Sequence, residues 1–73
     1  MTKSLKNSNV TNANDLPDGF DVRIDIKNAP VEFWAVYYSA SFGTYKVQWC
    51  FTFENKVFYR SCNNNTWYDW RTI

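Results

Sequence analysis

Seventy-three residues make one domain, and a chain of this size buries only about 60% of the surface its unfolded form exposes, which excludes a second functional domain. Eight basic against seven acidic residues leave a net charge of +1, so no summed field steers the chain to nucleic acid or an anionic membrane. The chain has no histidine, and Cys50 and Cys62 lack CxxC spacing, so neither a four-ligand zinc site nor a Cys–His nucleophile can be assembled within one copy.

Two further bounds follow from composition. The 21% aromatic content is high, and large rings are how a small domain gathers buried area from few residues. No apolar run approaches the roughly 20 residues of a membrane span, and the first residues lack a signal-peptide core; the chain reads as soluble and made in a cytoplasm. In that compartment the two cysteines are expected as reduced, partly buried thiols.

Residues 1–14 are mostly Lys, Ser, Asn and Thr with only scattered Leu5 and Val10, too little apolar surface to offset the entropy of ordering. They read as a flexible linker or shaft-joining arm. The turn formers Asn14-Asp15-Leu16-Pro17-Asp18-Gly19 then open the domain proper, 15–73, with Leu16 as a plug for one end of the core. Residues 20–27 alternate without a break, which predicts a strand with Phe20, Val22, Ile24 and Ile26 inward and Asp21, Arg23, Asp25 and Lys27 in water. Asn28-Ala29-Pro30 breaks it.

Residues 31–40 predict a second strand, with Phe33, Ala35 and Tyr37 on one face and Trp34, Val36 and Tyr38 on the other. Both faces are apolar, so it is expected either at the centre of the fold or with its outer face against another chain. After a turn at Ser41-Phe42-Gly43-Thr44, a third strand sets Tyr45, Val47, Trp49, Phe51 and Phe53 as an aromatic core face against Lys46, Gln48, Cys50, Thr52 and Glu54. Glu54-Asn55-Lys56 is short enough for a hairpin loop before a fourth strand over 57–61. That loop length places Phe53 opposite Val57, Phe51 opposite Tyr59, Cys50 opposite Arg60 and Cys62 opposite Gln48, leaving the cysteines as diagonal neighbours on the more polar face. Asn63-Asn64-Asn65 supplies a tight reversal, since Asn tolerates left-handed backbone. Trp67 and Trp70, three positions apart, require a bend near Asp69. Ile73 is expected to close the core.

Chemistry is sparse. Asp21 and Asp25 are the only paired carboxylates suggestive of acid–base work, and on a wet strand face with Arg23 between them they read as solvated charges. There is no Gly-rich phosphate loop, and without histidine no Ser–His–Asp arrangement. Aromatics interleaved with Lys46, Lys56 and Arg60 could suit single-stranded nucleic acid, but the charge balance argues against it. Rings left exposed suit stacking on sugars or packing against identical copies.

Leu16, Gly19-Phe20, Asn28-Ala29-Pro30 and Gln48, followed by Val57-Phe58-Tyr59-Arg60-Ser61, an Asn-rich turn and Trp67-Tyr68-Asp69-Trp70-Arg71-Thr72-Ile73, resemble the knob domain of bacteriophage and R-type pyocin tail fibres. The resemblance covers residues 15–73, and its most specific part is the aromatic-Arg-Ser strand with the Trp-x-x-Trp ending. It implies an all-β fold, here a small antiparallel sheet of four to five short strands, with no enzymatic activity and no cofactor. It further implies a homotrimeric module of a virion tail appendage, assembled in the bacterial host cytoplasm, that attaches to the bacterial surface.

On this reading Leu16, Gly19, Phe20, Pro30, Gln48, Tyr59, Arg60, Trp67 and Trp70 are mainly structural. Tyr59 completes the core with Trp67 or Trp70, and Arg60 stacks on a ring or meets an acid. Exposed rings near the turns, Tyr38, Phe42, Tyr45 and Tyr68, are the candidate contacts to cell-surface polysaccharide or lipopolysaccharide. With Met1 so close to the knob, the chain reads as a fibre fragment, an internal-start product or a separate subunit. The rival expectation is a small free-standing phage protein that grips a host protein or single-stranded nucleic acid inside the cell.

Overall fold

The computed structural model describes residues 7–73. Its elements are a short 3-10 turn, Ala13–Asp15, and six strands: β1 Gly19–Arg23, β2 Ala35–Phe42, β3 Tyr45–Thr52, β4 Val57–Asn63, β5 Thr66–Trp67 and β6 Arg71–Thr72. They form one antiparallel sheet in the order β1-β2-β3-β4-β5, with β6 also paired to β4. The all-β expectation is met by a single-layer meander. β2, β3 and β4 are joined by short turns that local chemistry can specify, whereas residues 24–34 run from β1 to β2 as a long connection that helps to cover the sheet.

That turn chemistry is written in Gly, Asn and Asp. Gly43 (φ 61°) lies in the two-residue loop between β2 and β3, while Asn64 and Asn65 (φ 51° and 69°) join β4 to β5. Two successive positive φ angles are what the twist of a tight hairpin requires. Gly19 stands at φ 102°, where a side chain is strained even though an added Cβ would meet nothing within 4 Å. Gly19→Ala is therefore expected to cost about 1–2 kcal/mol through the backbone alone, read as a melting temperature lowered by roughly 5–10 °C.

The strand bounds differ from the sequence reading in instructive ways. β1 stops at Arg23, four residues early, because Asp25 and Asn28 take positive φ (52° and 59°) and turn the chain. β2 begins only at Ala35 and continues through Ser41 and Phe42, leaving Gly43 and Thr44 as the turn. The β3–β4 loop is longer than three residues. The Thr52 hydroxyl accepts hydrogen bonds from the Glu54 and Lys56 amides, and Asn55 turns at φ 70°, so Phe51 rather than Phe53 opposes Val57. The slip of two residues keeps every side chain on its face. It sets Gln48 opposite Arg60, and moves Cys62 opposite Lys46 and Cys50 opposite Phe58. The cysteines are thus buried, free and not diagonal neighbours.

Which face is buried is the main correction. The covered side of the sheet carries Asp21, Ala35, Tyr37, Ser39, Gln48, Cys50, Arg60 and Cys62, all buried, while Phe20, Val47, Phe51 and Tyr59 of the expected core face are exposed. Ile24 is also exposed, and Ile26 reaches the core only after β1 has ended. Ile73, expected to close the core, is 81% exposed. The apolar mass of the core comes instead from segments laid across the sheet: Ala13, Leu16 and Ile26, with Val10, Ala29, Val31 and Trp70 packed against them.

Residues 7–14, assigned by composition to a flexible arm, belong to this cover; the rest of that expectation, residues 1–6, lies outside the described residues. Ala13 is fully buried. The Ala13 amide donates to Lys27 O and the Lys27 amide to Thr11 O, at 2.8 and 2.9 Å. The Ser8 amide and hydroxyl both donate to the buried Asp21 carboxylate, and Arg23 donates to the carbonyls of Val10 and Ser8. Burying a carboxylate is tolerable only with such partners.

Candidate functional site

Two surfaces stand out, one on each side of the sheet. On the covered side the sequence signature converges on Arg60. Its guanidinium carbon lies 3.8 Å from the centre of the Trp67 ring and 4.6 Å from that of Trp70. Nε donates to Gln48 Oε1 and Nη2 to Asn14 Oδ1, each at 2.8 Å. Gln48, fully buried, donates in turn to Ala13 O at 2.6 Å and Ser39 Oγ at 3.1 Å. Trp70 donates its indole N–H to Asn28 O at 2.7 Å and meets Tyr37 edge-on at 6.3 Å. A planar cation between two indoles is held by their negative ring faces as well as by contact. Its hydrogen bonds tie the segment around Asn14 to β3 and β4.

The break between β5 and β6 makes this clamp possible. Tyr68 still donates its amide to Ser61 O at 3.0 Å, but one extra residue lies between the Cys62–Trp67 and Tyr59–Arg71 pairings with β4, which lets both tryptophans reach Arg60 despite their spacing of three. That is the bend expected near Asp69. Burial pulls the Arg60 pKa down to about 10, against a partial rise from Cys62 and Tyr37, so the group stays charged at neutral pH. Among the described residues no buried side-chain nitrogen or oxygen lacks a partner, and no three His, Cys, Asp or Glu side chains converge as metal ligands. No helix among them is long and apolar enough to cross a membrane.

Two other buried groups give the covered side a pH signature. Burial pushes the Cys50 thiol up to about 11, against a smaller lowering by Tyr37, and pushes the Tyr37 phenol higher still. The folded chain therefore keeps protons that the unfolded chain releases above the ordinary values of 9.0 and 10.0. This stabilisation is complete below pH 9; the share of Cys50 is lost as pH rises through 11, and that of Tyr37 begins to fall only above pH 10. Arg60 acts oppositely, but only above about pH 10. The melting temperature is thus expected to fall between pH 8 and pH 10, by roughly 5 °C, and by less in Cys50→Ala.

On the other side the sheet is bare among the described residues. Cross-strand pairing lines its outward side chains into rows: Val22, Val36, Phe51 and Val57; then Phe20, Tyr38, Trp49 and Tyr59; then Ala40, Val47 and Ser61; then Phe42 beside Tyr45 at the hairpin end. No position in these rows is charged. The aromatic row crosses all four long strands, with Phe20 and Tyr38 centroids 4.6 Å apart and Trp49 and Tyr59 5.7 Å apart.

No family model, curated protein or solved structure matches the chain.

The four candidate surface rings separate between two places. Tyr38, half-buried, lies near the middle of the bare face, and Phe42 and Tyr45 (83% and 51% exposed) sit at its end. Tyr68 stands apart at the β4 edge, in a cleft of about 380 Å³ shared with Tyr59, Arg60, Ser61, Asp69 and Arg71. Of the signature residues, Leu16, Gln48, Arg60, Trp67 and Trp70 lie on the covered side, whereas Tyr59 and Phe20 project outward and complete no core. Pro30 flanks Trp70 in a neighbouring cleft. Val47, Trp49 and Phe51, expected in the core, project outward, and their alternation carries no signal of which face is covered.

Proposed function

We propose that the chain is a non-enzymatic structural and receptor-binding module of a phage tail-fibre or tail-spike-like appendage. In this reading it forms a homotrimer, is assembled in the bacterial host cytoplasm, and attaches the virion to cell-surface polysaccharide or lipopolysaccharide. What carries the reading is the Arg60 clamp. The residues behind the knob resemblance, Gln48, Arg60, Trp67 and Trp70, form one connected unit, which supports reading them together as a single structural motif.

The receptor contact is best placed at Tyr68, which combines an exposed ring with Asp69 and Arg71 in one cleft. A ring to stack on a sugar and charged groups to bond its hydroxyls are what saccharide recognition requires. Tagged chain is expected to bind whole host cells, and Tyr68→Ala to reduce that binding at least about 10-fold with an unchanged melting temperature, since a 56% exposed ring supports little packing. Equal binding by the variant removes Tyr68 from the receptor site. The bare face would also serve the rival reading, an intracellular protein that grips a host protein; capture from lysate with no binding to whole cells would favour it.

A further inference from the structure

We infer that the bare face of the sheet is where copies of this chain pack on one another. The inference rests on the self-assembly in the fibre reading, but on neither its receptor nor its count of three copies.

Size is the first argument. At roughly 200 Å² for a fully exposed ring, the exposed fractions of Phe20, Phe42, Tyr45, Phe51 and Tyr59 alone amount to about 500 Å². Val47, 45% exposed, and the half-buried members of the rows add to this. The total exceeds the upper part of the range for the largest apolar patch on a monomer, about 300–600 Å², and approaches the about 800 Å² that each partner contributes to a standard interface.

Chemistry selects the occupant. A polysaccharide presents hydroxyls that need amide, carboxylate or guanidinium partners, and nucleic acid needs cations; the rows hold neither, only the hydroxyls of three tyrosines and Ser61 and the indole N–H of Trp49. A flat pleated apolar face fits best against another of its kind, with two sheets stacked about 10 Å apart and their side chains interdigitated. The described residues form one layer, covered on one side by their own loops. A second copy supplies the missing layer, with Trp49 near the centre, where aromatic anchors contribute most to binding.

Sedimentation velocity across the micromolar range tests this. The natural chain is expected to associate. Val47→Lys, which removes no core packing, is expected to raise the dissociation constant at least about 30-fold while keeping the native circular dichroism spectrum. Should that variant fail to fold, the chain with both Phe42→Lys and Tyr45→Lys, altered only at the hairpin end, is expected to show the same weakening. A natural chain that stays monomeric, or folded lysine variants that associate as tightly as the natural chain, would overturn the inference. A trimer agrees with the fibre reading; a dimer leaves the interface standing and contradicts the trimeric form.

Discussion

Arg60→Ala is expected to remove a large share of the chain's folding stability. The substitution removes two ring contacts, each worth about 1–2 kcal/mol when desolvated. It also strips a charged partner from Gln48 Oε1, which is fully buried, and a buried acceptor left unpaired costs about 1–3 kcal/mol more. Together these come to roughly 3–7 kcal/mol, against a total stability of about 4–11 kcal/mol expected for this length. Arg60→Lys keeps the charge but cannot lie flat between Trp67 and Trp70 while donating to both Gln48 and Asn14, so an intermediate loss is expected. Urea denaturation followed by tryptophan fluorescence reads both. An alanine variant within about 1 kcal/mol of the natural chain would show that the clamp is not a main source of stability.

Removal of residues 1–14 is expected to have an effect of similar size. If these residues were the linker their composition suggests, the deletion would be silent. In the structure it takes away Ala13 and Val10 from the core, the Ser8 donors of Asp21, the Asn14 partner of Arg60 and the Ala13 carbonyl that holds Gln48. Hydrogen bonds to charged groups contribute about 1.5–3 kcal/mol each, so losing those to Asp21 and Arg60 together removes at least about 3 kcal/mol before the core loss is added. The truncated chain is expected to lack a cooperative thermal transition by circular dichroism. A transition at the natural temperature would place residues 7–14 outside the cooperative unit.

Much of this architecture was legible from residue order. Period-two alternation revealed the strands, Gly43 and the Asn pair Asn64 and Asn65 marked their turns, and the spacing of Trp67 and Trp70 demanded the bend that brings both rings to Arg60. What misled was the rule that the apolar face points inward. Val47, Trp49 and Phe51 make the more hydrophobic face of β3, yet Gln48 and Cys50 are the buried ones. Alternation fixes which residues share a face but not which face is covered; that is decided by the segments that cross the sheet. Here Ala13, Leu16 and Ile26 bring the apolar surface, and the sheet offers them polar anchors in Asp21, Gln48 and Arg60. Residues 7–14 were missed for the same reason, because their hold is through backbone and side-chain hydrogen bonds more than through hydrophobic mass.

Thiol reactivity of the native cysteines tests this inversion most directly, because the two orientations of β3 give Cys50 opposite fates. With the polar face covered, Cys50 is fully buried and Cys62 nearly so, and the Cys50 thiol, its pKa pushed up to about 11, holds almost no reactive thiolate at neutral pH. A soluble disulfide reagent is then expected to leave Cys50 unmodified in native buffer and to modify both cysteines once denaturant is added, whereas Val47→Cys reacts at once. Rapid modification of Cys50 in the folded chain, with protection of Val47→Cys, would contradict the account and restore the aromatic face to the core.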